Sequence, residues 1–222
     1  MPTAQDENAL RAELCDIAHR THAAGFVGGS DGNVSARLAD DRFLISASAT
    51  CLGTLAPDDL VVIDADGAVI HGARRASSER WMHLAAYAQR PDVSAIVHAH
   101  PPHVVAMTIA DLPMPDDVLP EIIIAFGRAP LAPYATPGTK DGASVVSELV
   151  QQHDAIILDR HGALTLGSSI HAALMKLEQL EHAARILTIA TQLGNLRRLP
   201  ADEIHRLHEL RAAYHGNSPT SG

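Results

Sequence analysis

Two histidines one residue apart, His98 and His100 in "VSAIVHAHPPHV", stand behind an apolar run and ahead of two prolines. In a strand, residues i and i+2 point to the same face. The pair therefore offers two imidazoles side by side, while Val97 and Ala99 turn the other way. Imidazole is the commonest protein ligand for zinc and related metals, and a catalytic zinc usually takes three protein ligands and keeps one position open. His161 is the best candidate for a third ligand, because it follows the apolar run "AIILD" and precedes Gly162 at an expected strand end. Glu79 is the best-placed carboxylate. It falls in the first turn of a helix opened by Ser77 and Ser78, where unpaired N–H groups and the helix dipole favour negative charge. There it either caps the helix or serves as a base near a metal, and the helix end with its serine hydroxyls offers an anion site. The other histidines lack this strand-end context. His83 lies one helical turn after Glu79, His103 follows the two prolines, and the rest fall on expected helices or their ends.

The elements that must position these residues follow from periodicity and turn chemistry. Leu10, Leu14 and Ile17 lie on one face of a first helix ending near Gly25. "NVSARLADDRFLISA" predicts two strands around an acidic turn, and "DLVVIDADGAVIHG" a hairpin turning at residues 65–67. "SSERWMHLAAYAQR" is helical and stops at Pro91, "VSAIVHAH" is a strand, and "PPHVVAMTIA" opens a helix with proline. The proline-rich segment 111–140 is expected to wind across the surface with short strands. A helix follows over about 141–151, then two strands around a turn at His161-Gly162, a long helix to Gly194, and a last helix over about 201–213. The pattern is one α/β domain over residues 1–214, its sheet largely antiparallel or mixed because hairpins build it, with a disordered tail over 215–222.

Composition narrows the function classes. With 222 residues and 46% hydrophobic content the chain can bury a substantial core, filled by aliphatic side chains because only 3% are aromatic. A net charge of -9 argues against nucleic-acid binding, which needs clustered Lys and Arg. Neither a signal peptide nor an apolar run long enough to span a membrane is evident, so a cytoplasmic location without membrane partners is expected. Two cysteines, Cys15 and Cys51, make no disulfide framework.

The segments "GGSDGNVSAR", "FLISASAT", "SSERWMHLAAYAQRPDVSAIVHAHPPH", "LAPYATPGT" and "DRHGALTLG" occur in the order found in one known family. Over roughly residues 9–190 the chain resembles the class II aldolase/adducin family, which contains L-fuculose-phosphate aldolase and L-ribulose-5-phosphate 4-epimerase. The resemblance implies a three-layer αβα fold with a largely antiparallel central sheet flanked by helices. It also implies a C4 homotetramer with active sites between subunits. It makes His98, His100 and His161 ligands of Zn²⁺, or of Mn²⁺ or Co²⁺, and Glu79 the catalytic acid/base. Ser30, Asn33, Ser48, Ala49, Ser77 and Ser78 fall where family aldolases hold the substrate phosphate. Ala49 stands where the family usually has glycine. The tyrosine that fuculose-phosphate aldolase uses as proton donor has no clear match, which leaves Glu121 or Tyr214 as candidates. The implied activity is a metal-dependent lyase: an aldolase cleaving a small ketose or deoxyketose phosphate to dihydroxyacetone phosphate and an aldehyde through a metal-stabilised enediolate. Alternatives on the same site are a 4-epimerase, a 3-oxo-tetronate-phosphate decarboxylase or a dehydratase. A non-catalytic adducin-like module ranks below these, since all three histidines and Glu79 are present.

Overall fold

Alternation along the central strands divides the interior into two cores. Val34, Ala36, Leu44, Val97 and Ala99 enter one; Phe43, Ile45, Ile96 and Leu164 enter the other. The computed structural model describes residues 4–39 and 41–216. Eight strands form one sheet in the order β4-β3-β2-β1-β5-β8-β7-β6. They are β1 (Asn33–Ala39), β2 (Arg42–Ser46), β3 (Leu60–Asp64), β4 (Val69–His71), β5 (Ala95–Ala99), β6 (Leu131–Ala132), β7 (Ala155–Leu158) and β8 (Gly162–Gly167). Every pairing is antiparallel except the short parallel pair of β6 with β7.

Helices cover both faces. On one side pack α1 (Ala4–Ala23), α3 (Pro102–Ile109), α4 (Pro120–Phe126) and the long α6 (Ile170–Leu193), whose Leu174, Leu177 and Leu180 are fully buried. On the other lie α2 (Arg80–Gln89) and α5 (Lys140–Ser147). A last helix, α7 (Ala201–Gly216), lies against α4. This is the expected three-layer arrangement. Among the described residues no helix is long and apolar enough to cross a membrane.

Several local expectations change. The segment 111–140 is not only surface loop: α4 inserts Ile122, Ile123 and Phe126 into the core. Pro120 at its first turn starts that helix, since its missing N–H would have no partner there anyway. The helix expected over 141–151 ends at Ser147 and gives way to a 3-10 turn, Leu149–Gln151. The turn before β8 occupies residues 159–161, and Gly162 already belongs to the strand. Residues 215 and 216 continue α7, and residues 217–222 of the expected tail lie outside the described residues.

Gly162 is where the sheet demands a missing side chain. A Cβ there would lie 2.3 Å from the Ala99 carbonyl oxygen and 2.8 Å from Cδ2 of His100. The backbone at the start of β8 thus sets the position of the His100 ring. Gly162→Ala should destabilise the protein by about 1–3 kcal/mol, the usual range for overpacking, read as a lowered thermal midpoint.

Candidate metal centre and substrate cleft

His98 lies on β5 between β1 and β8, opposite Asn33 on one side and Leu164 on the other. Its face of the sheet is the one covered by α2. His100 follows at the end of the same strand, one alternation on. His161 closes the turn into β8, two residues before Ala163, the partner of Ala99. Antiparallel register therefore brings residues 98, 100 and 161 together although 61 positions separate the last two. Their ring centroids form a nearly equilateral triangle, with separations of 5.0, 4.8 and 4.9 Å.

Glu79 completes the cluster from above. It occupies the N-cap position of α2, not its first turn, and its side chain makes no capping hydrogen bond. The helix start is supported instead by Ser77, whose Oγ accepts from the Glu79 N–H at 3.2 Å. The carboxylate turns to the histidines: Oε2 lies 3.1 Å from His98 Nε2 and Oε1 lies 3.0 Å from His161 Nε2. One ligand-type atom from each of Glu79, His98, His100 and His161 falls within 4.8 Å of the others.

The donor set fits a cation. His98 Nδ1 lies 3.0 Å from the Ala163 carbonyl, which can only accept, so Nδ1 carries the proton and a neutral ring presents the Nε2 lone pair inward. His98 Nε2 and His100 Nε2 face each other at 3.2 Å. Glu79 Oε1 is buried without a hydrogen bond, because its close approach to His161 lacks hydrogen-bond alignment. These unshared lone pairs converge on one point, and a divalent ion there would satisfy them together. The electrostatics agree. Burial alone would raise the Glu79 carboxyl, yet facing His98 and His161 hold it well below the usual carboxylate range. Burial opposes charge on His98, but the Glu79 carboxylate still pushes its pKa up. His100 is driven down to about 3 by burial and by the neighbouring imidazoles. The buried carboxylate demands one compensating positive charge, which a proton on His98 or a bound cation can supply.

Beside this cluster opens a cleft of about 370 Å³. Its walls include all six of the expected phosphate-binding residues, Ser30, Asn33, Ser48, Ala49, Ser77 and Ser78, along with Glu79, His100 and His161. Their hydrogen bonds divide them. Ser48 Oγ donates to the Ala76 carbonyl at 2.7 Å, and the Asn33 amide is engaged on both its oxygen and its nitrogen. Ser30, Ser77 and Ser78 keep hydroxyl protons uncommitted among the described residues. Ala49 holds φ at +57°, the left-handed region that disfavours a β-carbon. Within the single chain neither Glu121 nor Tyr214 lines the cleft. Glu121 is exposed in the first turn of α4, and Tyr214 is 68% exposed on α7.

One lining group, Asp31, was not among the residues singled out from the sequence. Asp31 lines the cleft with Oδ2 3.7 Å from His100 Nδ1. Behind Glu79, His83 is buried against Asn33. The one-turn spacing from Glu79 to His83 is legible in the sequence, but its partner Asn33 is not.

His98→Ala should abolish stoichiometric metal binding while leaving the circular dichroism spectrum unchanged; metal analysis of the purified variant checks this. Ala49→Gly should raise stability by about 0.5–1 kcal/mol, because relief of left-handed strain exceeds the entropy that glycine adds to the unfolded chain; denaturant titration reads it.

Comparison with known proteins gives the chain its family. The family model of the Class II Aldolase and Adducin N-terminal domain matches residues 12–188. A 3-oxo-tetronate 4-phosphate decarboxylase of Cupriavidus necator is 36% identical over 184 residues, 81% of this chain and 84% of that protein. A 5-deoxy-D-ribulose 1-phosphate aldolase of Bacillus thuringiensis is 34% identical over 202 residues, 89% of this chain and 92% of the relative. Among solved structures, YgbL of Escherichia coli superposes with a TM-score of 0.84 at 33% identity, covering 91% of this chain and 99% of its own. With the family match running through every element that carries the histidine cluster, this chain belongs to the class II aldolase/adducin family.

Proposed function

We propose that the protein is a divalent-metal-dependent lyase acting on a small sugar phosphate, and that decarboxylation of a 3-oxo-tetronate 4-phosphate is the reaction its cleft supports best. The observation that carries the reading is the convergence of Glu79, His98, His100 and His161 at one end of a cleft lined by serine hydroxyls. The three histidines act as metal ligands. A cation held there would polarise the substrate carbonyl and stabilise negative charge on its oxygen. Ser30, Ser77 and Ser78 donate to the phosphate, with loop N–H groups around them. No lysine or arginine lines the cleft among the described residues, but Arg75 and Arg80 line the adjoining basin that shares Ser48 and Ser78.

Decarboxylation and aldol cleavage pass through the same enediolate of dihydroxyacetone phosphate. In decarboxylation the C1–C2 bond breaks, its electron pair moves toward the C3 carbonyl, and carbon dioxide leaves. One proton is then taken up at C2, which Glu79 relays from solvent. In aldol cleavage a base must also remove a proton from the hydroxyl that becomes the aldehyde, a step that decarboxylation does not require. Within one chain the cleft holds the carboxyls of Glu79 and Asp31 among the described residues. Decarboxylation needs one such group and fits. Aldol cleavage, the leading expectation from the resemblance, becomes the second reading; Asp31, 56% exposed beside His100, is the group that would favour it.

The decisive assay offers the metal-loaded protein 3-oxo-tetronate 4-phosphate and, separately, a panel of ketose 1-phosphates. Carbon dioxide release without aldehyde release is expected; the converse would make the protein an aldolase. Glu79→Gln should retain the metal and lose about 10²–10⁴-fold in turnover, the scale of a general acid/base. Unchanged turnover would restrict Glu79 to shaping the start of α2.

A further inference from the structure

Behind Glu79 runs a line of buried polar side chains that the reaction itself does not use. Helix α2 places Glu79, His83 and Tyr87 at four-residue intervals, so one face of the helix carries all three. Strand β1 places Asn33 and Ser35 two apart, so one face of the sheet carries both. The two rows interleave. Tyr87 Oη lies 2.8 Å from Ser35 Oγ, Ser35 Oγ 2.6 Å from His83 Nδ1, His83 Nε2 2.6 Å from Asn33 Oδ1, and Asn33 Nδ2 2.9 Å from Glu79 Oε2. Ser35, His83, Tyr87 and Asn33 are at most 3% exposed.

Donor and acceptor roles leave this line one direction. A carboxylate only accepts, so Asn33 must turn its NH₂ toward Glu79 and its oxygen toward His83. An amide oxygen also only accepts, so His83 Nε2 carries a proton. Burial holds the His83 ring uncharged, its pKa driven down to about 3. Its Nδ1 is therefore an acceptor, taking the Ser35 hydroxyl proton, and Ser35 Oγ accepts from Tyr87. The far end is clamped: Tyr87 stacks on Phe43 at 4.6 Å between centroids, with the Arg37 guanidinium carbon 5.0 Å from its ring centre.

We propose that His83 is a positioning residue for the reaction, locking the Asn33 amide so that Asn33 anchors one oxygen of Glu79 and leaves the other uncommitted. The inference rests on the acid/base role proposed for Glu79. It also alters the duty of Asn33, whose oxygen faces His83 and whose nitrogen faces Glu79, so that it holds the acid/base more than the phosphate. Outer partners of this kind set the orientation of the groups they touch, and their loss commonly costs 10–100-fold in activity.

Two readouts test this. In zinc-loaded protein labelled with ¹⁵N-histidine, His83, assigned by its disappearance in His83→Gln, should be a neutral ring protonated on Nε2 between pH 5 and pH 8. A cationic ring or an Nδ1–H tautomer would overturn the proposal. In the second readout, deuterium exchange from solvent into dihydroxyacetone phosphate monitors the enediolate step without presuming decarboxylation or cleavage. His83→Leu should lower the exchange kcat about 10–100-fold, with KM within about twofold of wild type and full metal content. His83→Gln, whose amide nitrogen can still donate to Asn33, should recover most of it. An unchanged kcat with only a lowered thermal midpoint would make the line purely structural and overturn the proposal, as would loss of metal in proportion to activity. Should His83→Leu fail to fold, Tyr87→Phe and Ser35→Ala keep the packing and remove one link; each should lose about two- to tenfold in kcat, the worth of one hydrogen bond, and no loss in either would overturn it. If wild-type protein exchanges no deuterium, the reaction reading fails, and the His83 tautomer alone decides the positioning chain.

Discussion

A carboxylate taken almost out of water has to be compensated, and the arrangement around Glu79 follows from that need. Its side chain is only 12% exposed and sits against two imidazoles. Desolvation by itself would neutralise the group. Positive charge from the histidine side and an amide donor from Asn33 keep it ionised. The same point in space that compensates the carboxylate is the point where three ring nitrogens aim their lone pairs. A site built this way can hold a cation, and the cleft opens beside it.

The sheet supplies the rigidity this requires. His98 is held by strands on both sides, and its Nδ1 hydrogen bond to Ala163 orients the ring. Gly162 lets the β8 backbone press against His100, and the turn before it delivers His161. On the opposite side of the carboxylate, α2 lies against the face of β1 that carries Asn33 and Ser35. Ladder and helix therefore approach Glu79 from two directions, one presenting the imidazoles and the other a directed hydrogen-bond line. The loops carry the serines that line the cleft. Ala49, strained in the left-handed region, lies in that loop wall and not in the histidine cluster.

Much of this was open to reading in the chain itself. The H-x-H pair, the strand-end His161 and the SSE triplet follow from period-two alternation and helix-start chemistry, which are local rules. The sheet was expected to be largely antiparallel or mixed because hairpin signals are local too. Segment 111–140 resisted, because its prolines suggest loop and only tertiary burial of Ile122, Ile123 and Phe126 makes a helix of it. Where Glu121 and Tyr214, the two candidate proton donors, come to lie also depended on how α4 and α7 pack, which no periodicity reports.

The sequence by itself determined which side chains share a face: residues 98 and 100 on one strand, 33 and 35 on another, 79, 83 and 87 on one helix. Those relations depend only on the pitch of the backbone. Tertiary structure alone decided which faces meet. Packing α2 onto β1 turned two separate spacings into one hydrogen-bonded line, and the β5–β8 register brought His161 to the other histidines. It also turned the Glu79 carboxylate away from the helix end and toward the histidines, where the sequence left helix capping and a place beside a metal both open. A local rule sets the direction of a side chain, but its partner comes from a part of the chain far away in sequence, and only the closing of the core brings that partner near.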